Sequence, residues 1–138
     1  MNFSDGKGID FKVGAAVTAE QLSDVFKKSG ITRPVDDLPR LERMIEHADL
    51  LITAWDEQAL VGVARAVTDF SYCCYLSDLA VNRDYQKRGI GKELVKLVQK
   101  QIGDEVMLLL LSAPAAMEYY PRIGFDKVEN GFIISRKK

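Results

Sequence analysis

The sequence predicts one domain of the mixed α/β class, in which helices pack against a central sheet. Its 138 residues suit a single hydrophobic core and no Pro-, Gly- or Ser-rich linker divides them, so we expect one domain over residues 1–138. Apolar residues recur at helical spacing in some segments and alternate or cluster densely in others. Together these patterns predict the element order β-α-α-β-β-β-α-β-α-β-β.

Each element has a local signal. Thr18 followed by Gln21 has the spacing of a capping box, and Gly30 is a typical end for the helix that follows. A polar turn at Glu57–Gln58 between two strand-like runs predicts a hairpin. In order, the predicted elements are a strand at 9–13, helices at 18–29 and about 40–48, strands at 50–56, 60–69 and 72–81, a helix at 89–102, a strand at 105–112, a short helix at 115–123, and closing strands at 125–128 and 132–136.

The composition excludes several classes of function. The formal net charge is −1, which provides no global basic field for nucleic acid or an anionic membrane. No apolar run spans a bilayer and the first residues have no apolar signal core, so we expect a cytoplasmic protein. Cys73 and Cys74 are neighbours on a predicted strand, which favours two free, buried thiols over a disulfide or a zinc site.

The most informative segment is VNRDYQKRGIGKELV, residues 81–95, where a strand leads into a helix. At Gly89 and Gly91 the absence of a side chain lets backbone amides approach a ligand closely. Cations flank the two glycines at Lys87, Arg88 and Lys92. A helix N-terminus with these features suits a pyrophosphate, although a tight turn with solvated cations gives the same pattern. Neither a P-loop nor the third glycine of G-x-G-x-x-G is present.

Two segments resemble motifs of the GCN5-related N-acetyltransferase (GNAT) family. Gln86–Gly91, QKRGIG, is similar to the family signature Q/R-x-x-G-x-G/A, and Ala116–Phe125, AMEYYPRIGF, resembles A-x-x-F/Y-Y-x-x-x-G-F. The motifs stand in the family's order, and the resemblance covers roughly residues 50–137. The chain departs from the family at Ala113, where an asparagine that contacts pantetheine is common.

The resemblance implies a mostly antiparallel central sheet flanked by about four helices, acetyl-coenzyme A (acetyl-CoA) as the acyl donor, and no metal. The glycine loop would hold the pyrophosphate, and a strand end would pair with the pantetheine arm where strands 72–81 and 105–112 splay apart. The implied cofactor-binding residues are Leu79, Ala80, Val81, Gln86, Lys87, Arg88, Gly89, Ile90, Gly91, Lys92 and Tyr119.

Two residues are candidates for proton transfer. Tyr120 stands where the family often places a tyrosine that protonates the departing thiolate, and a phenol is protonated at neutral pH. The alternative is a core tyrosine with a local hydrogen bond. Asp78 interrupts an apolar strand, where its carboxylate could relay a proton from the amine or could instead cap backbone N–H groups.

We therefore predict an acetyl-CoA-dependent N-acetyltransferase that passes the acetyl group directly to a primary amine, expected to be a small molecule. The alternative is a catalytically silent acetyl-CoA-binding sensor or regulatory module. A homodimer is compatible with such a fold. The resemblance makes four residues candidates for the acceptor side: Phe26, Arg33, Trp55 and Tyr75. Arg33 is either a carboxylate-recognition residue or a solvated loop arginine.

Overall fold

The computed structural model describes residues 1–138, which form one six-stranded sheet with helices on both faces. In chain and sheet order the strands are β1 (Asn2–Ser4), β2 (Asp10–Val13), β3 (Leu50–Asp56), β4 (Ala59–Thr68), β5 (Cys73–Val81) and β6 (Met107–Leu109). The helices are α1 (Ala19–Ser29), α2 (Leu38–Glu46), α3 (Ile90–Ile102) and α4 (Tyr119–Arg122), with 3-10 turns at Arg83–Tyr85 and Pro114–Ala116. Pairing is antiparallel from β1 to β5 and parallel between β5 and β6, which confirms the mixed fold class.

Helices α1 and α2 cover one face of the sheet. The predicted capping box is present, since the Thr18 hydroxyl accepts from the Gln21 amide at 3.1 Å and the Gln21 side chain accepts from the Thr18 amide at 2.9 Å. Gly30 ends α1 in the left-handed region at φ 86°. The apolar stripe of α1, including Leu22 and Phe26, is fully buried against β4 and β5. These two helices therefore form one side of the hydrophobic core.

Helix α3 packs on the opposite face, directly over β4. Its inward residues Leu94 and Val98 are fully buried. At Gly62 the helix comes very close to the sheet, because a Cβ there would lie 3.2 Å from the Ile90 side chain and 3.3 Å from that of Leu94. A glycine on β4 thus sets how near the first turn of α3 lies to the sheet. No helix has the length and hydropathy to cross a bilayer.

The middle strands carry the two irregularities that shape the site. The β4–β5 register shifts at Arg65, because Arg65 pairs with Asp78 while Ala66 pairs with Leu76. Ser77 is therefore an extra residue, a β-bulge that bends β5 locally. On its other side β5 pairs with β6 only at residues 73–75, so the two strands separate beyond that point.

Several element predictions were wrong in detail. Residues 2–4 form strand β1 although the polar start gave no strand signal. Strand β5 alternates between buried and less buried residues, so of the two thiols predicted to be buried Cys74 is buried and Cys73 is exposed. Of the predicted strand 105–112, only Met107–Leu109 form a strand, β6, at the edge of the sheet. The strand ends at Leu109 because its pairing with β5 ends at Tyr75.

The two closing strands predicted at 125–128 and 132–136 are absent. Residues 126–138 make no backbone–backbone hydrogen bonds, and Phe132 and Ile134 are 100% and 98% exposed. An alternating apolar pattern expresses a side-chain preference, but a strand forms only with a partner in register. Strand β6 has no such partner on its outer edge.

Candidate active site

A sharp loop carries the chain from the end of β5 into α3. The Gln86 side-chain amide donates to the Val81 carbonyl at 2.9 Å and closes the base of this loop. Lys87 and Gly89 both have positive φ, 66° and 79°, so the backbone turns abruptly before the helix. This conformation is uncommon for a lysine, whereas glycine adopts it freely. The loop therefore leaves Lys87, Arg88 and Gly89 exposed just before the helix, while Ile90 and Gly91 are buried.

The first turn of α3 has free backbone donors. The Glu93 amide makes the helix-starting bond, to the Gly89 carbonyl at 3.0 Å, and no side chain caps the helix at Gly89. The amides of Ile90, Gly91 and Lys92 consequently have no acceptor within the helix. Because the 13-residue helix also directs its positive dipole end here, this turn suits a phosphate or pyrophosphate.

The side chain of Arg88, next to the start of α3 in the sequence, is held by two contacts in series. Its guanidinium lies 5.3 Å from the centre of the Tyr85 ring, and the Tyr85 hydroxyl donates to the Asp56 carboxylate at 2.5 Å. That hydrogen bond raises the pKa of the Tyr85 phenol. Asp56 ends β3, so a residue from another strand helps to fix the cation of the loop.

Tyr119 lies against the same helical turn. A Cβ on Gly91 would stand 2.6 Å from the Tyr119 hydroxyl oxygen, a distance that no side chain at position 91 could keep. Burial raises the pKa of the Tyr119 phenol. The structure thus brings Tyr119 to the glycine loop, where the resemblance implied contact with the cofactor.

The edge of β5 leads directly to this turn. Because β6 pairs only with residues 73–75, residues 76–81 have a strand neighbour on the β4 side alone. The unpaired side of such an edge can accept an extended ligand as an additional strand. Leu79, Ala80 and Val81, the predicted pantetheine-pairing residues, lie on this segment and end where the loop begins.

Asp78 is the centre of a buried ion cluster at the bulge. Its side chain is fully buried, and its two oxygens accept from the Nε atoms of Arg33 and Arg65. Arg33 also donates to the Ser77 carbonyl at 2.8 Å and to the Thr32 carbonyl at 2.6 Å, while Arg65 donates to the Ser77 hydroxyl at 3.1 Å. The carboxylate therefore has no solvent-facing oxygen.

Tyr120 stands within the electrostatic reach of this cluster. Its ring is partly buried and packs edge-on against Tyr119 and Phe125, with centroids 5.3 and 5.5 Å apart. Burial raises the pKa of the Tyr120 phenol, the neighbouring Tyr119 raises it further, and the positive charge of Arg33 opposes the rise. The side chain can therefore hold a proton across the neutral and mildly alkaline range.

The four acceptor-side candidates fall into different environments. Phe26 and Trp55 are buried in the core, and the Trp55 ring nitrogen donates to Thr53 at 2.7 Å. Arg33 donates its hydrogen bonds to Thr32, Ser77 and Asp78. Tyr75 is 39% exposed, and the pairing register places it between Val67 of β4 and Leu109 of β6, which are also exposed.

Arg65 and Asp56 were not identified as site residues from the sequence. A signal for Arg65 was present, because it is the only charged residue of β4 and Asp78 is the only one of β5. Two opposite charges on consecutive apolar strands indicate a buried pair, since a lone buried charge is costly. Asp56 offered no comparable signal, since it stands at a strand end where an exposed carboxylate is common.

Comparison with known proteins identifies the family of the chain. A family model described as "Acetyltransferase (GNAT) domain" matches residues 11–134. That match covers most of the chain. The chain belongs to the GNAT acetyltransferase family.

The individual relatives share about a third or less of their aligned residues with this chain. GCN5-related N-acetyltransferase 2, chloroplastic, of Arabidopsis thaliana is 31% identical over 80 residues, which cover 54% of this chain and 30% of the relative. The chain spans about a third of the length of the first curated relatives it matches. A GNAT-family protein of Streptococcus pneumoniae superposes with a TM-score of 0.74 at 25% identity, covering 94% of this chain and 99% of that one. The aminoglycoside N-acetyltransferase AAC(6')-Iy, in complex with CoA, shares the fold at a TM-score of 0.69 and 18% identity, covering 94% and 95%.

Proposed function

We propose that the chain is an acetyl-CoA-dependent N-acetyltransferase that passes the acetyl group to a primary amine of a small molecule. The observation that carries this proposal is the continuity of two open features. The unpaired edge of residues 76–81 runs directly into the uncapped amides of Ile90, Gly91 and Lys92. One binds an extended amide chain and the other binds phosphate, and acetyl-CoA offers both groups in that order.

On the donor side, the chain supplies backbone amides and cations. Lys87, Arg88 and Lys92 are exposed around the loop and add positive charge to a chain of net charge −1. Beside the loop lies a cavity of about 270 Å³. Its lining residues are Asp5, Lys7, Phe11, Arg88, Gly89, Ile90 and Glu93. This cavity gives the nucleotide end of the donor a place next to the pyrophosphate.

The reaction needs an oxyanion donor and an acid. The amine attacks the thioester carbonyl, the oxyanion accepts from a backbone amide near Leu79, and the carbon–sulfur bond breaks. Tyr120 donates its proton to the departing thiolate, and its raised pKa keeps that proton available at neutral pH. Acetylated amine and free thiol are the products, and the proton that the amine loses returns through solvent to the Tyr120 phenolate.

Asp78 as the base that takes the amine proton stays a prediction. To receive a proton, its carboxylate would have to give up one of two arginine partners, in a place with no exposure to water. An Asp78→Asn variant that folds and keeps the wild-type pH profile of kcat would remove Asp78 from the proton path.

Two observations support a small molecule as the acceptor, namely the structural neighbours and an exposed row of residues on the sheet. Structural neighbours include an aminoglycoside acetyltransferase in complex with sisomicin, a likeness of fold at 16% identity. The exposed row of Val67, Tyr75 and Leu109 lies on the sheet next to the Asp78 cluster. It offers a surface for the body of an amine.

The first experiment is a thiol-release assay with acetyl-CoA against a panel of amines, run beside calorimetric titration of CoA. The panel contains aminoglycosides, polyamines, amino acids and a lysine peptide. Release with small amines supports the proposal, and release with the peptide alone contradicts the small-molecule part. Tight CoA binding without release from any amine favours the silent sensor module.

Location and assembly stay predictions. The free thiols of Cys73 and Cys74 suit a reducing compartment such as the cytosol, whereas the Arabidopsis relative is named chloroplastic. Cell fractionation tests the first prediction, and light scattering after size exclusion tests the expected homodimer.

A further inference from the structure

We propose that Arg33 is a positioning residue that fixes the acceptor side of the cleft to the strand that holds the acyl donor. This inference rests on the proposed acetyl-transfer function. Arg33 lies in the loop between α1 and α2, residues 30–37, and its side chain reaches the bulge of β5 at Ser77 and Asp78. It therefore joins the loop to residues that lie 44 and 45 positions further along the chain.

All three nitrogen atoms of the Arg33 guanidinium are used in this clamp. Nε donates to an oxygen of Asp78, Nη2 to the Ser77 carbonyl and Nη1 to the Thr32 carbonyl. The first two contacts hold β5, and the third holds the loop itself. An arginine engaged on three sides has no free edge for a bidentate contact with a substrate carboxylate. This geometry excludes carboxylate recognition by Arg33 while the clamp is closed.

Apart from the packing of Ile31 and Val35 against the core, the loop has few other anchors. The Ser23 hydroxyl donates to the Val35 carbonyl at 2.8 Å, which ties the far end of the loop to α1. The Val35 amide donates to the Arg33 carbonyl at 2.8 Å within the loop. Ser23 thus holds the loop to the helix, whereas the Arg33 side chain holds it to the sheet. Without Arg33 the middle of the loop would lose its hydrogen bonds to β5.

The two arginines of the cluster have different tasks. Arg65 is on β4, a strand already paired with β5, so its ion pair with Asp78 reinforces a contact that the sheet makes anyway. Arg33 is on a loop, and its side chain is 30% exposed while that of Arg65 is 11% exposed. Removing Arg33 should therefore leave the bulge formed and Asp78 paired, but free the loop.

The clamp is made at the β5 bulge, next along the strands to the exposed row of Val67, Tyr75 and Leu109 that we propose for the acceptor. The positive charge of Arg33 also opposes the rise in the pKa of the Tyr120 phenol. The donor is held by α3 amides that Arg33 does not touch. We therefore expect loss of Arg33 to weaken acceptor use while acetyl-CoA binding is nearly unchanged.

The test compares Arg33→Gln and Arg33→Lys with a control, Arg40→Gln. Arg40 is a half-buried arginine of α2 whose side-chain contact is to the carbonyl of Lys138 at 3.4 Å, outside the clamp. Hydrogen exchange of amides 30–37 and CoA titration are measured for each variant, followed by kcat and KM for the best amine. We expect Arg33→Gln to speed loop exchange at least tenfold and raise the acceptor KM about tenfold, with the CoA Kd changed less than threefold.

Arg33→Lys should recover part of the loss, because an ammonium can pair with Asp78 but cannot also reach both carbonyls. Unchanged loop exchange in Arg33→Gln would overturn the clamp whatever the activity. A CoA Kd that rises as much as the acceptor KM would overturn the assignment to the acceptor side. If the wild-type protein releases no thiol with any amine, the proposed function fails and the acceptor role fails with it, and loop exchange alone then reports whether the clamp exists.

Discussion

The proposed donor and acceptor sides of this site are built by opposite means. The proposed donor side is a turn whose backbone amides would bind the ligand, with Gly89 exposed and Gly91 buried against Tyr119. The acceptor side is fixed by a buried cluster of charged side chains around Asp78. Backbone recognition tolerates many side-chain changes but no added bulk, whereas an ion cluster depends on every one of its members.

This comparison predicts that the largest effect comes from removing the centre of the cluster. Asp78→Ala leaves the Arg65 and Arg33 guanidiniums without their shared partner. Breaking a buried ion pair on one side typically costs about 3–5 kcal/mol, and the partial exposure of Arg33 points to the lower end. Urea denaturation should show a loss of about 3 kcal/mol in the free energy of unfolding. Asp104→Ala, an exposed turn aspartate, is the control and should stay within about 0.5 kcal/mol. Equal stability of the two variants would show that the cluster does not hold the fold.

Tyr120 lies between the two sides, and its loss should affect the chemical step alone. Tyr120→Phe keeps the ring contacts with Tyr119 and Phe125 but removes the acidic hydroxyl. We expect kcat to fall about 100-fold while the CoA Kd stays constant. Because burial raises the phenol pKa, the alkaline limb of the wild-type kcat profile should lie above the ordinary value of about 10. A variant with normal kcat would show that another group protonates the thiolate.

On the donor side, Gly91→Ala should weaken CoA binding about tenfold with little loss of stability. The added methyl group would meet the Tyr119 hydroxyl at 2.6 Å, so Tyr119 has to move across the amides of the first turn. Alanine also favours the helix by about 1 kcal/mol over glycine, which offsets part of the strain. Calorimetric titration measures the affinity. Gly131→Ala is the matched control, since a Cβ there meets nothing within 4 Å. Equal affinity for both variants would place the pyrophosphate elsewhere.

The smallest effect is expected from removing the hydrogen bond that holds Tyr85 against Arg88. Tyr85→Phe keeps the ring under the guanidinium and removes the hydrogen bond to Asp56. We expect a two- to fivefold rise in the CoA Kd, about 0.5–1 kcal/mol, as for loss of one ordinary hydrogen bond. The change should shrink at high salt if Arg88 acts mainly through its charge. A Kd equal to that of the wild type at low salt would show that Arg88 needs no support from Tyr85.

For a physical reason, the sequence indicated the glycine turn before α3 more clearly than the ion cluster around Asp78. A turn that exposes backbone requires glycine at fixed places, so Gly89 and Gly91 are visible in the sequence. The ion cluster depends on contacts between Arg33, Arg65 and Asp78, which come from three segments and meet only in the fold. The capping box, the helix periods and the hairpin are local, and those predictions were confirmed. The closing strands needed a distant partner edge, and those predictions were wrong.

The close contact at Gly62 has a consequence for how α3 is aimed. The first turn of α3 packs directly on the backbone of β4 at Gly62, with no side chain of residue 62 between them. The distance between the sheet and the phosphate-facing turn therefore depends on this glycine. A methyl group at position 62 would move the first turn of α3 away from the sheet by a few tenths of an ångström. Gly62→Ala should then show weaker CoA binding in calorimetry from a position in the core of the sheet, and unchanged binding would mean that this glycine does not set the position of the turn. The orientation of the anion site is thus set from beneath the helix, by a residue that never meets the ligand.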